Sequence, residues 1–477
     1  MAKVKKVIKN LYLRNNNLKM TNKYCSVKPI KDSSLPQVFI ETYGCQMNVN
    51  DSEVVLSVLQ KAGYALCDSL STANVILVNT CSIRDNAEQR IWGRLDVFYQ
   101  EKKKRKNVIV GVLGCMAERL KEELLQHPAV DLVAGPDSYR NIANLLAALD
   151  ETGDKQINIK LLSEETYADI SPVRLDKNGV SAFISIMRGC NNMCSYCVVP
   201  YTRGAERSRD PHSIVREAQE VFDAGYKEVT LLGQNVDSYK WVNPDNTTET
   251  VNFAQLLELV ALISPQLRVR FSTSHPKDMG NGVLYTMAMY PNICNHIHLP
   301  VQSGSDAMLE KMNRKYTREG YLYRISKIRE IIPDCAISTD IIAGFCGETL
   351  EDHAATLSIM REVGYDSAFM FQYSMRPNTK AHRHFTDDVP LEEKTRRLNE
   401  IIELQNGMSL ASNQKCVGQE YEVLIEGTSK RSAEQLIGRT PQNKVCVFDG
   451  KGHKIGDYVI VKVTACTSAT LMAELVE

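Results

Sequence analysis

Ala182-Phe-Ile-Ser-Ile-Met-Arg-Gly-Cys190-Asn-Asn-Met-Cys194-Ser-Tyr-Cys197 decides how the chain is read. The apolar run Ala182–Met187 reads as a buried strand, and three thiols follow its end in a CxxxCxxC pattern. Thiolates so spaced can hold three irons of a cubane cluster. With no fourth cysteine nearby, one iron keeps an open position, and open metal positions bind and activate ligands. A structural zinc site, the other reading of such a triad, wants four closed ligands.

Toward the C-terminus, further strand candidates are Glu228–Gly233, Arg268–Thr273, His296–Pro300, Ala336–Ala343 and Ser367–Tyr373. Amphipathic stretches such as Ser213–Ala224, Phe253–Ile263 and Leu350–Val363 separate most of them. Six βα units fall short of a closed eight-stranded barrel, which predicts an open (βα)6 partial TIM barrel. Leu391–Ser412 reads as a long polar helix leading out of it. The last segment changes period: Glu420–Glu426, Val445–Asp449, Tyr458–Thr464 and Thr470–Leu475 alternate like strands. A small antiparallel β-barrel of the oligonucleotide-binding kind fits this pattern. It carries eight Lys/Arg against eight Asp/Glu, so charge alone does not mark it as an RNA binder. Within it, Arg439, Asn443 and Lys444 are expected to contact an RNA backbone.

Toward the N-terminus, Val38–Tyr43, Val75–Thr80 and Val108–Gly114 read as buried parallel strands of a Rossmann-like sheet. The intervening helices are expected at Asp51 (as an N-cap) onward, at Arg84–Leu95 and at Ala117–Gln126. Each strand ends beside a cysteine: Cys45, Cys81 and Cys115. The carboxyl ends of parallel strands share one edge, where ligands bind, so these cysteines are expected to converge and hold a second cluster with one iron free. The domain plan is a basic tail at 1–36, a sheet domain at 37–150, a polar linker at 151–180, the partial barrel at 181–412 and the small β-barrel at 413–477. The tail holds nine Lys/Arg against Asp32 alone and reads as disordered or as an upstream start, with an electrostatic RNA arm as the sharper alternative.

The 477 residues carry 57 Lys+Arg and 57 Asp+Glu, with 43% apolar and 24% charged residues, which excludes a disordered chain. Apolar runs such as Val108–Ala117 are about half a membrane span, and the first residues hold no signal-peptide core. Fourteen cysteines in so long a chain argue for reduced thiols in the cytoplasm, not a secreted disulfide scaffold. Eight of them (25, 67, 294, 335, 346, 416, 446 and 466) lack ligand spacing and are expected to be inert. His296 and His298 share a strand face and read as lumen-lining residues before a metal pair. The Lys102–Lys106 run reads as a solvated helix end, with a tRNA backbone contact as the alternative.

The CxxxCxxC triad at the head of a partial barrel resembles the radical S-adenosylmethionine superfamily. Thr42-Tyr-Gly-Cys-Gln-Met-Asn48, Asn79-Thr-Cys-Ser-Ile-Arg84 and Gly114-Cys-Met-Ala117 resemble the N-terminal domain of its methylthiotransferases. Tyr201-Thr-Arg-Gly204, Leu232-Gly-Gln-Asn235, Ser272-Thr-Ser-His-Pro276 and His298-Leu-Pro-Val-Gln-Ser-Gly304 continue the likeness, which is to the MiaB branch, and the last domain resembles their TRAM domain. Cys346 stands where the family usually has Pro, and Asn378 where Gly is usual. The resemblance implies two [4Fe-4S] clusters and S-adenosylmethionine. One cluster, on Cys190, Cys194 and Cys197, would generate a 5′-deoxyadenosyl radical. The other, on Cys45, Cys81 and Cys115, would carry the sulfur that a second S-adenosylmethionine methylates by polar transfer. It further implies methylthiolation of carbon 2 of N6-isopentenyladenosine beside the tRNA anticodon, with a low-potential electron donor such as flavodoxin or ferredoxin and a sulfur or cluster donor as partners. Carbon 2 offers no acidic proton, so a radical is the chemistry its C–H bond needs. Tyr196 is expected against the adenine of S-adenosylmethionine, and Gln234, Ser274 and Gln302, at carboxyl ends of barrel strands, at the same cofactor. A RimO-like enzyme acting on a ribosomal protein, or a non-catalytic metal-cluster RNA-binding protein, are the alternatives.

Overall fold

The computed structural model describes residues 29–82, 85–105, 107–176, 178–430, 432 and 434–476. Most of the basic tail, Cys25, Arg84 and Lys106 lie outside the described residues.

Six parallel strands open the fold: β1 (Gln37–Thr42), β2 (Ala65–Leu66), β3 (Val75–Thr80), β4 (Ile109–Gly114), β5 (Leu132–Ala134) and β6 (Gln156–Asn158). Their order is β2-β1-β3-β4-β5-β6, and helices cover both faces, as the unbroken burial of Val75–Thr80 requires. β6 lies inside the acid-rich stretch read as a linker, and Tyr167 and Arg174 of that stretch are also buried. Asp51 is not an N-cap. The helix runs Gln46–Lys61 with Cys45 as its cap, and Asp51 sits on the second turn with its side chain fully buried. The polar start that mimics a capping signal faces another domain instead of solvent.

The second unit begins with β7 (Ser181–Ser185), β8 (Met187–Arg188), β9 (Arg207–Ser208) and β10 (Glu228–Leu232). A hairpin, β11 (Lys240–Asn243) with β12 (Asn246–Asn252), has no counterpart in the sequence reading, because its Asn/Thr/Glu-rich strands are exposed and lack an apolar alternation. β13 (Arg268–Ser272), β14 (His296–His298), β15 (Ala336–Ala343) and β16 (Ser367–Gln372) complete it. The parallel triplets β13-β10-β7 and β14-β15-β16 meet through a bridge between Val269 and Ile293, making one curved, open barrel of six main strands. One continuous apolar core lies between this sheet and its outer helices.

The helix Leu391–Gln414 leads to a closed barrel of β17 (Glu420–Thr428), β18 (Gln435–Arg439), β19 (Val445–Asp449), β20 (Tyr458–Cys466) and β21 (Leu471–Leu475). β18 went unread in the sequence because Gly438 and its short length mask the period. Gly438 is required there, since a Cβ would drive into the Leu424 backbone carbonyl on β17. No described helix is long and apolar enough to cross a membrane.

Candidate active site with two cysteine sets

β1, β3 and β4 are adjacent and parallel, with Thr42 opposite Asn79 and Thr80 opposite Gly114. Cys45, Cys81 and Cys115 therefore leave one sheet edge together. Gly44, at φ +122°, turns so tightly that a Cβ on it would collide with the Cys81 side chain. Gly114, at φ +91°, likewise has no room beside Asn79 and Thr80. These two glycines let the strand ends close around the thiols. Cys81 and Cys115 are buried and Cys45 is half-buried.

Cys190, Cys194 and Cys197 occupy the loop after β8. Gly189, at φ +72°, lets the loop cross the Ala205 carbonyl, and Cys190 N–H donates to Gly204 O at 3.2 Å. Each sulfur faces one N–H donor: Asn192 N on Cys190 at 3.5 Å, Val199 N on Cys197 at 3.5 Å and Arg314 Nη1 on Cys194 at 3.3 Å. Such donors suit thiolates that carry metal charge. Nothing local in the sequence marks Arg314, which lies 120 positions from Cys194. Its Nη2 donates to Pro300 O at 2.9 Å, and Tyr316 lies under the guanidinium, so the cation is held rigidly. In the metal-free protein burial pushes the Cys190 thiol up to about 11 and the Cys197 thiol higher still, and burial likewise raises Cys115. Metal binding must then expel these protons.

The helix Val199–Arg203 joins the two sets. It starts two residues past Cys197, and its far end packs against the helix Cys115–Leu120, with the Thr202 side chain beside Cys115. Six residues of near-helical rise span about 9 Å, so the two sets lie within one site.

A buried ionic clamp fixes the domains around it. Asp51 accepts from Arg188 Nη1 at 2.8 Å and from Arg203 Nη2 at 2.7 Å, and Asp137 accepts from Arg207 Nη1 at 2.8 Å. Burial alone would raise the Asp51 carboxyl, but the two guanidiniums hold it below the ordinary aspartate range. A second clamp, Glu53 with Arg174 at 3.0 Å and Arg174 with Glu217 at 2.6 Å, ties the same helix to the barrel.

Of the residues expected at S-adenosylmethionine, Tyr196 packs edge-on to Phe345 with its hydroxyl 3.5 Å from Arg314 Nη1. Gln234 and Ser274 each lie two residues past a barrel strand, β10 and β13, and Ser274 is buried. Gln302 is buried in the left-handed region at φ +68° and donates its backbone N–H to Asp340 O at 2.8 Å. His296 and His298 both lie against Ser338 Oγ, at 3.0 and 2.9 Å, and burial drops His296 to about 3, which leaves it neutral. Among the described residues no group of His, Cys, Asp or Glu surrounds a single metal ion. The lysine run is largely engaged: Lys102 pairs with Asp131 at 2.6 Å, and Arg105 donates to Ala73 O at 2.7 Å. Asn378 adopts φ +67°, the conformation that favours glycine and that Asn tolerates best among other residues.

The residues expected at RNA have partners within the protein. Arg439 Nε donates to Glu426 at 2.7 Å, its Nη2 to buried Glu228 at 3.1 Å and its Nη1 to Asn443 at 2.9 Å. Lys444 Nζ donates to Ser412 Oγ and Asn413 Oδ1 and lies 3.0 Å from Asp366. The cations are neutralised inside the interface, where residues 439–444 plug the amino-terminal end of the open barrel and Arg270 donates to Thr440 O at 2.7 Å. Arg439→Ala is therefore expected to cost about 1–3 kcal/mol of stability in denaturant melts by leaving part of Glu228 unpaired, while stem-loop affinity stays as it was. Weakened RNA binding without a stability loss would assign Arg439 the RNA role instead.

Three family models match in succession: the uncharacterized protein family UPF0004 at residues 37–135, the Radical SAM superfamily at 184–359 and the TRAM domain at 414–476. A tRNA-2-methylthio-N(6)-dimethylallyladenosine synthase of Phocaeicola vulgatus is 58% identical over 448 residues, 94% of this chain and 97% of the relative. The synthase of the same name from Bacteroides thetaiotaomicron is 58% identical over 438 residues, 92% of this chain and 96% of the relative. The chain belongs to this methylthiotransferase family. It is a transferase of the radical S-adenosylmethionine type, and [4Fe-4S] clusters and S-adenosylmethionine are its cofactors. The N–H donor on each sulfur of the second-domain set, and the glycine-walled edge of the first, are the kind of surroundings those clusters need. The fold alone is shared with the radical S-adenosylmethionine methyltransferase TsrM of Kitasatospora setae, at TM-score 0.55 and 14% identity over 81% of this chain and 78% of that one.

Proposed function

We propose that the protein methylthiolates carbon 2 of N6-isopentenyladenosine beside the anticodon of tRNA. The observation that carries this reading is the pairing of two three-cysteine sets, on two domains, through the single helix Val199–Arg203. Cys190, Cys194 and Cys197 would hold one [4Fe-4S] cluster and Cys45, Cys81 and Cys115 the other. When bound, these clusters and S-adenosylmethionine supply the C–H activation and the sulfur.

The protein's own part is positional. Arg314 and two backbone N–H groups orient the sulfurs of the barrel set. Gln234, Ser274 and Gln302, at carboxyl ends of barrel strands, and Tyr196, beside Arg314, would line the place that S-adenosylmethionine takes. The clamp at Asp51 keeps both sets at fixed separation. The target base must leave the anticodon stack, which costs least in a single-stranded loop. A TRAM domain on the far side of the barrel adds RNA affinity. A low-potential flavodoxin or ferredoxin and a sulfur or cluster donor complete the cycle, and the setting is cytoplasmic. The relatives' names favour neither a ribosomal-protein substrate nor a non-catalytic role.

The test is single-turnover assay of the iron-loaded enzyme on prenylated and unmodified anticodon stem-loops. Methylthiolation of the prenylated loop alone is expected. Equal product from both removes the prenyl requirement, and product from neither removes the tRNA reading.

A further inference from the structure

Arg203 reaches out of its own domain. Its side chain is 2% exposed, and Nη2 donates to Asn48 Oδ1 at 2.8 Å and Asp51 Oδ2 at 2.7 Å, both on the helix that Cys45 caps. The same Asn48 Oδ1 lies 3.9 Å from Cys45 Sγ, and neighbouring Thr202 lies beside Cys115. The other terminal nitrogen, Nη1, is buried with no protein partner. Several described arginines leave a single Nε–H unpaired, but among the described residues this is the one whole guanidinium NH2 group so left. An unpaired donor on a buried cation is costly, so a partner from outside the chain is implied.

Charge points to the sign of that partner. The clamp holds three guanidiniums, Arg188, Arg203 and Arg207, against two carboxylates, Asp51 and Asp137. Glu118, the next carboxyl along, is raised by burial to about 7, so at neutral pH it is only partly ionised and offsets part of the surplus, not all of it. A net cation buried beside Cys45 and Cys115 matches a group of roughly one negative charge, the balance of an oxidised [4Fe-4S] core on three thiolates.

We infer that Arg203 is a positioning residue for the group held by Cys45, Cys81 and Cys115, presenting a cationic N–H to its sulfur from the neighbouring barrel domain. The first domain's site is thus finished by the second. This rests on the reading of those three cysteines as a cluster-binding set.

The experiment uses the full chain carrying Ala at Cys190, Cys194 and Cys197, so that one cluster remains, with Arg203 native, Arg203→Met or Arg203→Lys. Iron content and midpoint potential are measured on each. Arg203→Met is expected to shift the potential to more negative values or to lose iron, because an added electron or the bound group loses its nearby cation. Arg203→Lys is expected to restore most of either. A potential and iron content unchanged in Arg203→Met overturn the proposal, and so does a Lys variant no better than Met. Failure of the underlying reading shows elsewhere: the variant with Ala at Cys45, Cys81 and Cys115 would then keep its full iron, whatever happens at Arg203.

Discussion

Alanine at Cys190, Cys194 and Cys197 together is expected to abolish 5′-deoxyadenosine formation and to leave about half the iron, since each cubane holds four irons. The complementary replacement of Cys45, Cys81 and Cys115 should also halve the iron. That variant should still cleave S-adenosylmethionine, yet deliver no methylthio group. The asymmetry follows from scaffold: one set hangs on the edge of a six-stranded sheet, the other on a loop after β8, and neither can lend a thiolate to the other. Iron analysis, Mössbauer spectra and nucleoside mass spectrometry read the result. Methylthiolated tRNA from the second variant would refute the division of labour.

Asp51→Ala is expected to be the most destabilising change outside the cysteines. It leaves Arg203 with Asn48 as its side-chain partner and Arg188 with the Pro136 carbonyl at 2.9 Å and the longer 3.6 Å approach to Asp137. Breaking one side of a buried ion pair typically costs about 3–5 kcal/mol. Urea denaturation of the iron-free protein measures this, and a loss under about 1 kcal/mol would show the clamp to be energetically idle. The pH dependence has a defined sign. The folded carboxyl takes up its proton below the ordinary value of 3.8, so the contribution is complete above that value and is lost as pH falls through the folded one.

The frame of the molecule was legible because apolar runs announce buried parallel strands. Val75–Thr80 and Ala336–Ala343 were bounded to the residue, and six barrel strands could be counted. The convergence of three strand ends followed from parallel topology alone. Contacts between distant segments left no local trace. Asp51 looked like a cap because its partners, Arg188 and Arg203, stand more than 130 positions away. A basic residue on a loop carries no sign of the acid it meets: Glu228 for Arg439, Asp366 for Lys444. Arg314 was invisible for the same reason.

The clamp has a consequence for synthesis on the ribosome. Asp51 emerges 137 residues before Arg188, and at about 5–20 residues per second that is a wait of roughly 7–27 seconds. Throughout it, a carboxylate destined for full burial has no cation to meet. The nascent first domain must therefore keep that helix face wet and unsettled, and it closes only when the second domain's opening loop leaves the exit tunnel.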